Sequence, residues 1–255
     1  MPQHFLGLAD ANILATTQYQ LADRIIRDLI AHAATGVIHG PAGAGKTFAM
    51  QAGIETQRRI AGEDRISAHT LAFPSRPSML RVAADLIATL TGAAPPTSRN
   101  RFQLINQLIG LLSGTMKLIV VDEAQRLNSD CIELLRHLHD HPETRFALLY
   151  VGGDGCWEVL SREPMLRSRI FRRLPFRPLP REAIPDLIRA YHPIYDGADD
   201  ALLLDIDDTF AHGVMRDWAV LTHTAADLCH DVGQDRISEA IVANAYTLLG
   251  GGLHD

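Results

Sequence analysis

Residues 40–47 read Gly-Pro-Ala-Gly-Ala-Gly-Lys-Thr, a complete G-x-x-x-x-G-K-[ST] phosphate loop. The glycines let the backbone curl until several N–H groups point inward at one anion. The following helix opens at Gly45, so its positive end faces the phosphates. Lys46 supplies a mobile cation for the β- and γ-phosphates, and the Thr47 hydroxyl suits Mg²⁺. The flanks agree: Gly36–His39 reads as a short buried strand and Phe48–Ile60 as a helix. A chance glycine-rich turn would lack both. The candidate nucleotide-binding set is Gly40, Pro41, Ala42, Gly43, Ala44, Gly45, Lys46, Thr47 and Phe48.

The second informative stretch is Lys117-Leu118-Ile119-Val120-Val121-Asp122-Glu123-Ala124-Gln125. An apolar run ending in two acids reads as a parallel strand buried on both faces, delivering carboxylates at its C-terminal end, where open α/β sheets bind ligands. A strand that merely reaches solvent would also end in acids. Paired with the phosphate loop, the two acids take roles: Asp122 holds Mg²⁺ through its water shell and Glu123 polarises the attacking water.

Charge divides the chain. The formal net charge is −6, but residues 182–255 hold 14 acidic and 3 basic residues (−11), leaving 21 basic and 16 acidic (+5) in residues 1–181. Such asymmetry points to two modules, the acidic one a solvated helical face. The N-terminus lacks a basic stretch followed by an apolar one, and no run approaches a membrane span. The three cysteines are widely spaced, which argues for neither a disulfide framework nor a zinc site. A cytoplasmic protein without membrane partners is expected.

In chain order, residues 1–15 read as a short leader and Thr17–Ala33 as a helix. Arg65–Leu71 alternates as a second strand, Ser78–Leu90 and Arg101–Leu112 are helices, and a polar loop with two prolines lies between them. Asn128-Ser129-Asp130 caps a helix to about His139. His137, His139 and His141 lie near its end. Only an i, i+4 pair shares a helix face, and with no acid or cysteine cluster beside them they read as a polar helix end. Arg145–Val151 is another buried strand, Leu174–Leu179 the expected last one, and beyond Pro180 the pattern is wholly helical. The expected domains are residues 1–180, an α/β core, and 181–255, a helical lid.

Residues 162–181 carry seven arginines: Arg162, Arg167, Arg169, Arg172, Arg173, Arg177 and Arg181. Three readings fit: a surface that inserts an arginine into a neighbour's nucleotide site, a phosphate-backbone contact, or a plain solvated face.

The motif order resembles the AAA+ ATPases, with an α/β P-loop NTPase core and a small C-terminal helical lid. Within them it looks most like the transposition-regulator group (TnsC/TniB/MuB-like). The residues carrying this are GPAGAGKT at 40–47, LIVVDEAQRL at 118–127, LLYVGGDG at 148–155, LRSRIFRRLPFRPLP at 166–180 and HGVMRDWAVLTHTAADL at 212–228. The resemblance implies ATP and Mg²⁺ as cofactors. Lys46 and Thr47 match Walker A, and Asp122 and Glu123 match Walker B. Arg169 matches the arginine finger, and Arg216, opening a helix after Gly213, matches the sensor-2 position near the γ-phosphate. At sensor 1, where members often carry Thr or Asn after the strand, this chain has Gly153-Asp154.

Such ATPases assemble as homo-oligomeric rings or helical filaments on double-stranded DNA when ATP is bound, direct a transposase, and disassemble on hydrolysis. Arg76, Arg99 and Arg101, in or beside the Pro-rich loops, are the expected DNA contacts. A helicase loader or replication initiator shares almost every motif. A small-molecule kinase fits less well, because its lid would be basic and 182–255 is acidic. A GTPase needs [NT]-K-x-D, whereas the two lysines, Lys46 and Lys117, follow Gly45 and Met116.

Overall fold

The computed structural model describes residues 7–62 and 66–250. It falls into two compact units. One comprises residues 20–42 and 49–176; the other comprises Gly43–Phe48 with the described parts of Met1–Tyr19 and Arg177–Asp255.

The first unit is built on a five-stranded parallel sheet of β1 (Thr35–His39), β2 (Ser67–Ala72), β3 (Lys117–Asp122), β4 (Phe146–Gly152) and β5 (Ile170–Pro175), in the order β2-β3-β4-β1-β5. β4 is central and buried along its whole length, as its unbroken apolar run requires. Arg65 of the expected second strand lies outside the described residues; its remainder matches β2.

One sheet face, carrying Val37, Leu71, Ile119, Val121, Leu148 and Tyr150, packs on α3 (Met79–Thr91), α4 (Arg101–Leu112), α5 (Ser129–Asp140) and α6 (Cys156–Ser161). Polar side chains set where these helices start. Ser78 accepts from Arg81 N at 3.2 Å, Asn100 from Phe102 N and Gln103 N, and Asn128 from Cys131 N at 3.0 Å. α1 (Thr17–His32) buries Ala22, Ile25, Ile26 and Leu29. It approaches α2 (Lys46–Ala61) closely, since a Cβ at Gly53 would lie 2.6 Å from Ile26 Cδ1.

The last strand corrects the sequence reading. It spans Ile170–Pro175, four residues earlier than Leu174–Leu179. Pro175, Pro178 and Pro180 offer no N–H for a ladder, while an edge position tolerates the charged Arg172-Arg173 pair. Among the described residues β5 pairs only with β1. Arg172 binds Asp28 at 3.0 Å and lies 3.9 Å over the Phe171 ring; Arg173 lies 4.0 Å over Trp157 and donates to His39 Nε2 at 2.9 Å. The short helices α6 and α7 (Pro164–Arg167) had no counterpart in the periodicity.

The second unit is helical: α8 (Ile184–Tyr191), α9 (Asp200–Ile206), α10 (Met215–Asp231) and α11 (Glu239–Leu248). Its core gathers Ile188, Leu203, Ile206, Trp218, Leu221 and Ala245. Within it Arg181 pairs with Asp208 at 2.6 Å and Asn12 N–H donates to Tyr191 O at 2.8 Å.

Candidate nucleotide-binding site

In the sheet unit, β1 ends at His39, and Gly40 N–H donates to Gly152 O at the end of β4 at 3.3 Å. The neighbouring strand β3 ends in Asp122, followed by Glu123. Register places Val37, Tyr150 and Val121 side by side, so Gly40, Gly152 and the two acids emerge from one edge of the sheet. That edge is the C-terminal one, where ligands bind in open α/β folds.

The acids are held in a specific geometry. Glu123 sits in the left-handed region, φ 55 and ψ 38, which a non-glycine residue adopts at a cost and which recurs at functional sites. Its N–H donates to Asp122 Oδ1 at 2.8 Å. Gln125 Nε2 donates to Glu123 Oε2 at 2.7 Å, and Gln125 Oε1 accepts from Gly153 N at 3.1 Å. Arg126 Nε stands 3.5 Å from the same Glu123 oxygen and its NH1 bonds Pro74 O. Gln125 thus ties the Glu123 carboxylate to Gly153, on the chain leaving β4. Its signal in the sequence was only its place two residues after the acid.

Gly152 leaves room for that carboxamide. A Cβ there would collide with Gln125 Oε1 and lie 2.5 Å from Cys156 Sγ. Gly152→Ala is therefore expected to destabilise the protein by about 1–3 kcal/mol through overpacking. A thermal melt checks this: an unchanged midpoint would mean that Gln125 is not locked against β4.

In the helical unit, Gly43–Phe48 carries the second half of the loop. Gly43 has φ +78 and Gly45 φ +89, and a Cβ on Gly45 would meet nothing within 4 Å. Two positive-φ glycines one residue apart, the second beside open space, suit a backbone turn that directs N–H groups at an anion. Arg216 N–H donates to Gly43 O at 3.1 Å, and a Cβ on Gly43 would lie 2.6 Å from Val214 Cγ1 and 3.1 Å from Arg216 Cβ. The structure thus brings the start of α10 onto the loop. Burial pushes the neighbouring Asp217 carboxyl up, against the opposite pull of Arg216 and His212. Lys46 and Thr47 open α2, and Phe48 lies 6.4 Å from the Tyr19 ring.

Arg169 lies elsewhere. It directly precedes β5, whose Ile170 is level with Thr35, the first residue of β1. Its Nε donates to Asp140 at 2.8 Å and its NH1 to Met165 O at 2.9 Å. From the level of Glu123, it is about 16 Å down the strands and, across three strand spacings, about 14 Å sideways. Arg76, Arg99 and Arg101 are exposed, the first on the loop after β2 and the others flanking the N-cap of α4.

The Asp122 carboxylate in the sheet unit and the Thr47 hydroxyl in the other are each hard oxygen donors, the chemistry that Mg²⁺ takes. Among the described residues no histidine, cysteine and acid cluster offers another metal site. His139 lies 3.4 Å from Thr35 Oγ1, and burial lowers its pKa.

A family model described as "AAA domain" matches residues 28–160, from within α1 into α6. The chain belongs to the AAA-domain family. This AAA protein also resembles solved structures across nearly its whole length. Cdc6p from Pyrobaculum aerophilum superposes with a TM-score of 0.72 at 17% identity, covering 94% of this chain and 68% of that one. The Aeropyrum pernix ORC1 protein, solved in complex with DNA, gives 0.69 at 18%, covering 93% and 66%. The Thermotoga maritima RuvB Holliday junction branch migration motor gives 0.60 at 22%, covering 93% and 71%. The AAA chain thus spans about two thirds of the Cdc6p and ORC1 structures it matches. No curated protein sequence matches it. Among its described residues no helix is long and apolar enough to cross a membrane.

Proposed function

We propose that this AAA protein is an ATP-hydrolysing switch of the replication-initiator or helicase-loader kind, assembling head to tail on duplex DNA. The observation that carries it is the placement of Arg169 at the opposite sheet edge from Asp122 and Glu123. An arginine so placed serves a neighbour's nucleotide, not its own, which makes the interface heterologous. In this reading the loop from Gly40 to Thr47 binds ATP. Asp122 and Thr47 would hold Mg²⁺, which would supply charge neutralisation at the phosphates. Glu123, oriented by Gln125, orients and deprotonates the attacking water. Arg216 faces the γ-phosphate and Arg169 completes the neighbouring site.

The exposed Arg76, Arg99 and Arg101 contact the DNA backbone, giving sequence-tolerant, salt-sensitive binding. The likeness to an initiator solved with DNA supports this reading. The transposition-regulator reading, with a transposase as partner, rests on the runs at 148–155, 166–180 and 212–228.

Electron microscopy with duplex DNA tests both, comparing ATP, a non-hydrolysable analogue and ADP. Closed rings or short arcs formed with ATP and lost with ADP are expected for the initiator reading. Long filaments coating any duplex would favour the transposition regulator. Monomers in every state, ignoring DNA, would overturn both. Reversing charge at Arg99 and Arg101 to Glu should weaken DNA binding by more than about tenfold near physiological salt and flatten its salt dependence. Unchanged binding would move the DNA face elsewhere.

A further inference from the structure

Asp207 is a buried carboxylate, 4% exposed, at the start of a π-helical turn (Asp207–Ala211) that follows α9. Buried acids persist when hydrogen bonds return what desolvation costs. Here one oxygen, Oδ1, accepts from Gly213 N at 2.7 Å and from the indole Nε1 of Trp218 at 3.0 Å. The Asp207 carbonyl accepts from His212 N at 2.7 Å. Trp218 is itself fully buried, edge-on to Tyr195 with ring centroids 5.9 Å apart.

These bonds fix an unusual turn. His212 takes φ 48 and Gly213 φ +72, both left-handed. A Cβ on Gly213 would lie 2.5 Å from Leu179 O, and Leu179 N–H donates to Gly213 O at 2.8 Å. Val214 follows, then Met215 opens α10, and Arg216 N–H meets Gly43 O. The route from Asp207 to the phosphate loop is therefore a continuous set of hydrogen bonds and packed atoms inside one unit. π-helical turns are found frequently at functional sites, and the carboxylate of this one bonds the turn that supports the loop.

We propose that Asp207 is a positioning residue for nucleotide binding. It locks the Gly213 turn so that the main chain of Arg216 holds the Gly43 carbonyl and the loop is preformed before the phosphates arrive. The inference rests on residues 40–47 being the nucleotide site.

The test compares Asp207→Ala and Asp207→Asn for affinity toward a fluorescent ATP analogue. Trp218 emission is read in parallel in a Trp157→Phe background, which leaves Trp218 as the sole tryptophan. Asn keeps an oxygen that accepts both bonds and should bind within about twofold of wild type; Ala should bind about tenfold more weakly. Trp218 emission should respond to the analogue in the wild-type and Asn proteins and lose that response in the Ala protein. Should the Ala protein fail to fold, Trp218→Phe removes one donor while keeping an aromatic ring, and about threefold weaker binding is expected. Wild-type affinity and an unchanged emission response in the Ala protein would overturn the role of Asp207, as would unchanged affinity in Trp218→Phe where that variant stands in. A wild-type protein that binds no analogue would instead overturn the nucleotide site, and the inference with it.

Discussion

Glu123→Gln is expected to lower ATP turnover by about 10²- to 10⁴-fold, the span of a lost general base, while ATP still binds. The argument is geometric. Glu123 follows the last residue of β3 on the ligand edge of the sheet, in a left-handed conformation. Its Oε2 is engaged by Gln125 and approached by Arg126, so a proton leaving water would go to the other oxygen. The amide keeps shape and volume but gives up the charge and most of the basicity. In the proposed reading binding rests instead on residues 40–47, which the substitution does not touch. The variant should therefore trap the ATP-bound assembly, with DNA complexes that persist where wild-type ones dissolve. Phosphate release and equilibrium nucleotide binding, measured on the same preparation, separate the two effects. Turnover close to wild type would place the base elsewhere.

What the sequence disclosed follows from how local each feature is. The phosphate loop, its flanking strand and helix, and the apolar run ending in Asp122-Glu123 are contiguous, so residue order alone carries their geometry. The helix start at Asn128 was legible for the same reason, since a capping side chain reaches only two or three residues. The edge strand was displaced because alternation in Ile170–Pro175 is masked by arginines whose charges are met by distant partners, Asp28 and His39. The Gln125 bridge spans 28 residues to Gly153, and no spacing rule announces it. Asp207 was one acid among many in a segment that read as a solvated acidic face, and only its bonds to Gly213 and Trp218 set it apart. Function shows the same division: chemistry near one strand end was readable, whereas the proposal that a second copy completes the site depends on where the fold puts Arg169.

Arg169→Ala should leave the isolated protein folded and nucleotide-binding, yet reduce assembly-dependent turnover by about 10³-fold or more, as for other arginines acting in trans. Its bond to Asp140 lies at the surface, with side-chain exposures of 34% and 29%, so losing it should cost no more than about 1 kcal/mol. A melting curve checks that part. The decisive measurement mixes Arg169→Ala with Glu123→Gln. Each is inactive alone, but a head-to-tail interface can pair the intact Glu123 of one with the intact Arg169 of the other. In an equal mixture about a quarter of interfaces would carry both, so activity should return to roughly that fraction of wild type. An arginine acting within its own chain would give no recovery at any ratio, and the separation across the sheet would then have to be closed by movement of β5. Recovery that rises and falls with the mixing ratio would show that the nucleotide site is built by two copies.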